Sequence, residues 1–149
     1  MTTAIFPSLA NKTVVVTGGG SGIGAEIVAS FARQKSRVFF LDVAEAESNA
    51  LVEPLQGAAK FVKCDLTNIA ALREAFAIVE KQAGSVSVLV NNAANDDRHK
   101  PADVTPQYWD DRIAVNLRHY FFAAQAVAPG MKRAGGGSII NISSQLGLV

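Results

Sequence analysis

The stretch Thr17-Gly18-Gly19-Gly20-Ser21-Gly22-Ile23-Gly24 decides how this chain is read. It follows the apolar run Thr13-Val14-Val15-Val16-Thr17 and leads at once into Ile23, Ile27 and Phe31, which recur every four residues with Ala25, Ala29 and Ala32 between them. Strand, glycine turn and helix together make a phosphate cradle. Glycines let the backbone turn tightly and approach an anion, and the helix N-terminus offers unpaired N–H groups at its positive dipole end. The spacing fits T-G-x-x-x-G-x-G and not G-x-G-x-x-G, because Ile23 stands where the third glycine would fall when counting from Gly18.

Four more strand-like runs follow: Arg37-Val38-Phe39-Phe40-Leu41, Lys60-Phe61-Val62-Lys63, Val86-Ser87-Val88-Leu89-Val90 and Ser138-Ile139-Ile140-Asn141-Ile142. Several are continuously apolar, which predicts strands covered on both faces. Helix-like connections separate them, with Leu72, Phe76 and Val79 marking one. The alternation predicts an α/β fold built from βαβ units around a parallel sheet. Thr105 to Arg133 reads as one long helix, with Thr105 as N-cap, Pro106 in the first turn, and Pro129-Gly130 expected to kink or fray its end. Asp42 ends the second run, about 20 residues beyond the glycine turn, where a strand-end carboxylate can accept hydrogen bonds from the hydroxyls of an adenosine ribose. Its charge repels a 2′-phosphate, which favours NAD over NADP. The alternative is a solvated strand-end aspartate or a helix cap.

The 149 residues, 49% hydrophobic and 18% charged, suffice for one domain with a core, taken as residues 1–149. Fourteen Lys and Arg against thirteen Asp and Glu argue against a nucleic-acid partner, which needs a clustered basic excess. The single cysteine, Cys64, points to a reducing compartment. Apolar stretches fall well short of a membrane span and no signal peptide is visible, so a cytoplasmic protein without a membrane partner is expected. No metal site is expected. The last strand runs into Gly147-Leu148-Val149 with no covering helix, and an uncovered apolar edge implies a fragment of a longer protein.

Thr17-Gly18…Gly22-Ile23-Gly24, Cys64-Asp65-Leu66, Asn91-Asn92-Ala93-Ala94, Asn116 and Asn141-Ile142-Ser143-Ser144 occur in that order, and together they resemble the short-chain dehydrogenase/reductase family over essentially the whole chain. The resemblance implies a Rossmann-type doubly wound parallel sheet, here truncated after the fifth strand, a nicotinamide dinucleotide cofactor and a homo-oligomer in the full-length protein. Gly18, Ser21, Gly22, Ile23 and Gly24 would hold the pyrophosphate. Asp65 would bond the adenine amino group with Leu66 alongside, and Asn91 would lie beside the adenosine ribose and brace the sheet. Asn116 would help hold a proton-relay water. Ser144 would bind the substrate oxygen, and it is chosen over Ser143 because Ser144-Gln145-Leu146-Gly147 matches the family's S-x-x-G continuation. Two departures stand out. Ala94 replaces a customary glycine and should tighten its turn slightly. The family's Y-x-x-x-K pair, its general acid/base and the lysine that tunes it, is absent, so the chain alone is expected not to turn over.

After the fourth run comes the polar loop Asn95-Asp96-Asp97-Arg98-His99-Lys100. Asn91-Asn92-Ala93-Ala94-Asn95-Asp96-Asp97-Arg98-His99 and Ala114-Val115-Asn116-Leu117-Arg118-His119 resemble the aldose 1-dehydrogenase branch, which implies NAD-dependent oxidation of a sugar at C1 to the lactone. A loop of this composition can bond a polyol, or be simply solvated. His99 and His119 are expected at a surface or interface. Three other readings stay open. One is a 3-oxoacyl-type carbonyl reductase or other alcohol dehydrogenase of the same family, one a catalytically dead dinucleotide-binding module, and one a truncation product that folds poorly and exposes apolar surface.

Overall fold

Val14, Val15 and Val16 are all completely buried because their strand lies in the middle of a sheet covered on both faces. The computed structural model describes residues 4–144. Five parallel strands, β1 (Thr13–Thr17), β2 (Arg37–Asp42), β3 (Ala59–Lys63), β4 (Val88–Asn91) and β5 (Ser138–Asn141), form one sheet in the order β3-β2-β1-β4-β5. Gln145-Leu146-Gly147, invoked above to choose Ser144, and Leu148-Val149 lie outside the described residues.

The connections carry helices α1 (Gly22–Arg33), α2 (Glu45–Val52), α3 (Ile69–Ala83), α4 (Pro106–Ile113) and α5 (His119–Arg133). Alternate side chains of the central strands feed two cores. Val15, Phe39, Leu41 and Leu89 pack with Leu72, Phe76 and Val79 of α3 and with Ala123, Val127 and Met131 of α5. Val14, Val16, Val38, Phe40 and Val90 pack with Val28 of α1, and partly buried Phe31 and Leu51 close that side. The chain is therefore a Rossmann-type doubly wound α/β domain, as its strand–helix alternation implies. Strands β3 and β5 are the edges, and on β5 Ile139 and Ile140 remain about two-fifths exposed.

Three details depart from the sequence pattern. Ile23 does not join the buried stripe of α1; it stands 70% exposed at the helix start, beside the glycine turn. The long helix forms, with the Thr105 side chain accepting the Tyr108 N–H at 3.1 Å, but a π turn over Ala114–Arg118 splits it into α4 and α5. Pro129 does not fray the end. Helix α5 continues to Arg133 because Gly130 and Met131 beyond the proline are buried against the core.

Candidate functional site

In a parallel sheet with this order, the chain reverses direction of progress between β1 and β4, and a crevice opens at the carboxyl ends of those strands. The glycine turn sits over it. Gly18 has φ 66° and its N–H donates to the Leu41 carbonyl at 2.8 Å; a Cβ there would come within 2.7 Å of the Ala93 Cα. At Gly24 a Cβ would fall 1.9 Å from the Gly18 carbonyl oxygen, so only glycine lets helix α1 start this close to the turn. By contrast, a Cβ on Gly22 would meet nothing within 4 Å. Ser21 is the N-cap of α1 and is exposed, with no cap bond from its side chain. The first turn of α1 thus presents backbone N–H groups next to open space, a geometry able to hold a diphosphate.

Asp42 lies beside this turn. Its Oδ2 accepts the Gly20 N–H at 2.8 Å and its Oδ1 accepts the Ala44 N–H at 2.9 Å. Each carboxylate oxygen keeps a second lone pair, so the group can still take ribose hydroxyls while its two existing bonds fix the turn. Asp65, after β3, accepts the Thr67 N–H at 2.9 Å and the Thr67 hydroxyl at 2.7 Å through Oδ1. Leu66 is buried in the α3–α5 core, so only its backbone is available to a ligand. Asn91 is completely buried; its Nδ2 donates to Asn141 Oδ1 at 2.9 Å and to the Tyr120 carbonyl at 3.4 Å, tying β4 to β5 and α5.

Asn116 occupies the π turn, an irregularity that recurs at functional sites because it frees helical groups from their regular partners. Its Oδ1 accepts the Asn95 N–H at 2.7 Å and its Nδ2 donates to the Asn95 carbonyl at 2.9 Å. The loop after β4 is thereby fastened to the helix. Arg112 pairs with Asp97 at 3.2 Å and lies over the Tyr108 ring, whose hydroxyl meets His99 Nδ1 at 2.6 Å. These contacts order a loop whose charges could have been unrelated, and leave Asp96 and Arg98 outside them. Ala94 is not among the residues with positive φ, so its turn needs no glycine. Ser144 is exposed just beyond β5, at the same end of the sheet. The Tyr120 hydroxyl donates to the Ile142 carbonyl at 3.1 Å, and burial pushes this phenol's pKa up, the wrong direction for a base. Burial, with the Asp65 charge beside it, likewise pushes the Cys64 thiol up to about 11, which keeps it protonated near neutral pH.

His119 is not at a surface, contrary to expectation: it is completely buried, 3.3 Å from the Thr17 hydroxyl. Asn92 was also overlooked, although its Nδ2 donates to the Thr17 and Gly18 carbonyls at 3.1 and 3.0 Å. One signal was available. His119, Ala123, Val127 and Met131 recur every four residues and form the buried stripe of α5.

By fold and by the crevice beside its glycine turn, this is a mononucleotide- or dinucleotide-binding type of α/β domain. The family model described as short chain dehydrogenase matches residues 12–149, and the chain belongs to that family. It is 56% identical over 147 residues to a D-xylose 1-dehydrogenase of Caulobacter vibrioides, a match spanning 97% of this chain and 58% of the relative. It is 52% identical over 143 residues to a "probable galactose dehydrogenase" of Rhizobium meliloti, spanning 93% of this chain and 56% of that one. The crystal structure of a protein assigned to the short-chain dehydrogenase/reductases from Burkholderia xenovorans superimposes with a TM-score of 0.89 at 29% identity, covering 97% of this chain and 60% of that one. The chain therefore spans somewhat over half the length of the relatives it matches.

Proposed function

We propose that the full-length protein is an NAD-dependent dehydrogenase that oxidises an aldose sugar at C1 to the lactone. The observation that carries this reading is the Asp42 carboxylate bonded to the Gly20 N–H at 2.8 Å, a strand-end acceptor set directly against the glycine turn. The names of the relatives, acting on xylose and galactose, support a sugar as substrate.

In this reading the N–H groups of Gly22, Ile23 and Gly24 hold the diphosphate, with Gly18 and Ser21 shaping the turn, and Ile23 shields one side of it. Asp42 accepts both hydroxyls of the adenosine ribose and rejects a 2′-phosphate by charge. Asp65 and the Leu66 backbone bond the adenine edge, and Asn91 holds the sheet floor beneath the ribose. The nicotinamide, when bound, supplies the hydride acceptor. Ser144 bonds the anomeric oxygen and stabilises charge developing on it, and Asn116 helps hold a proton-relay water. Tyr108 and Tyr120 have Arg112 and Ala124 four residues on, so neither is the lysine-tuned base, and these 149 residues bind the dinucleotide without turning over.

The protein works as a cytoplasmic homo-oligomer. Trp109, Ile113, Leu117 and Phe121 stand exposed at four-residue spacing along α4, the π turn and α5, an apolar stripe suited to a second copy. No helix among the described residues is long and apolar enough to cross a membrane. Two measurements test the proposal. Fluorescence titration of the 149-residue chain should show NADH binding well above NADPH. The full-length enzyme should reduce NAD with D-xylose or D-galactose and produce the lactone. Equal affinity for the two dinucleotides, or no sugar-dependent NADH, would overturn it.

A further inference from the structure

Thr17 Oγ1 accepts the Asn92 N–H at 3.0 Å and the Ala93 N–H at 3.2 Å, and it lies 3.3 Å from His119 Nε2. A hydroxyl has two lone pairs and one proton to donate. With both lone pairs engaged, the proton goes to His119, so Nε2 is the unprotonated acceptor and the ring proton sits on Nδ1, a buried atom that makes no full hydrogen bond among the described residues and has only the Val115 carbonyl to attract it. Burial pushes this imidazole down to about 4, against a weaker opposing pull from the Val115 carbonyl, so the ring is neutral near pH 7, as an acceptor must be. Around this bond the two turns are laced together. Asn92 donates to both the Thr17 and Gly18 carbonyls, and the Ala93 backbone lies against Gly18 too closely to admit a Cβ.

We propose that His119 is a positioning residue: by accepting the Thr17 hydroxyl proton it locks the turn after β4 to the glycine turn and holds the phosphate-facing backbone in its binding shape. Without that acceptor the buried hydroxyl proton must find another partner, and rotating toward one gives up an N–H bond to Asn92 or Ala93. The turn after β4 is then free to part from Gly18. His119 directly follows the π turn, so one helical stretch both fastens Asn116 to the Asn95 loop and props the glycine turn from below. The lock is independent of chemistry at the sugar, but its effect on affinity rests on the dinucleotide reading above.

The test uses the full-length protein. Nitrogen-15 NMR of His119 should show Nε2 unprotonated and Nδ1 protonated, and the Asn92 and Ala93 amides should exchange slowly. His119→Phe, which fills the space without an acceptor, should speed exchange at both amides and weaken NADH binding, each by about tenfold. His119→Gln, which restores an acceptor oxygen but packs less well, should stay within about threefold of the parent in both. A residue serving only to fill space would give the opposite order, because the phenyl ring replaces more of the imidazole's contacts. An Nε2-protonated ring, or His119→Phe outperforming His119→Gln, would overturn the proposal. If the parent chain binds no NADH, the dinucleotide reading falls, while the tautomer and the amide exchange still decide the lock. Should His119→Phe not fold, Thr17→Val against Thr17→Ser gives the same comparison from the donor's side, with slow exchange expected only where the hydroxyl is kept.

Discussion

Acid is expected to destabilise this domain through His119. The ring is completely buried beneath the glycine turn, and burial lowers its pKa from 6.5 to about 4. The unfolded chain, with the ordinary value, therefore binds the proton more readily than the folded one does between those limits. Stability from this source is complete above about pH 6.5 and drains away as the pH falls toward 4. A gap of two to three units at about 1.4 kcal/mol each amounts to about 3 kcal/mol, most of it lost by about pH 4.5. That is a large fraction of the roughly 5–15 kcal/mol that holds a typical domain together. Urea unfolding of the parent and of His119→Phe across pH 7 to 4.5 would measure it. Carboxylates titrate in the same window, but both proteins carry them, so the difference between the two curves isolates the histidine. The parent should lose about 2–3 kcal/mol more than the variant across that span. Parallel curves would refute the reasoning, since they would mean that the buried ring tolerates its charge.

Three further outcomes follow from the geometry. Gly24→Ala drives a methyl onto the Gly18 carbonyl and should weaken NADH binding at least about tenfold while costing about 1–3 kcal/mol of stability, read by titration and by urea midpoint. Asp42→Ala combined with Val43→Arg, at an exposed neighbouring position, should move the full-length enzyme's preference toward NADP by about tenfold or more; unchanged discrimination removes Asp42 from ribose recognition. Phe40→Ala deletes a completely buried ring that packs on Phe61 at 5.6 Å and backs Gly19, and its unfolding free energy should drop by about 3–5 kcal/mol.

The strands, the parallel topology and the glycine cradle were legible in the chain because each is written locally. Continuous apolar runs mark doubly covered strands, and a strand that empties into glycines and a helix has few other geometries open to it. Thr105 announced its helix by capping chemistry alone, and the structure places its side chain on the Tyr108 N–H. Ile23 shares the four-residue rhythm of α1 yet stands 70% exposed beside the glycine turn. A four-residue rhythm cannot tell whether the first apolar residue of a helix faces the core or the mouth of a crevice.

What the amino-acid order determined by itself is the doubly wound α/β architecture, the position of the anion-facing turn and the carboxylate that follows the second strand. Tertiary structure alone decided how that turn is held. Thr17 and His119 are 102 residues apart in the chain, and Asn92 reaches Thr17 across 75. Neither pairing leaves a periodic trace in the sequence, because a hydrogen bond between distant side chains depends on which faces the packed sheet and helix bring together. The π turn at Asn116 is of the same kind. Its residues read as ordinary helix, and only the packing of α5 against the sheet, together with the loop that Asn116 clasps, settles the wider turn.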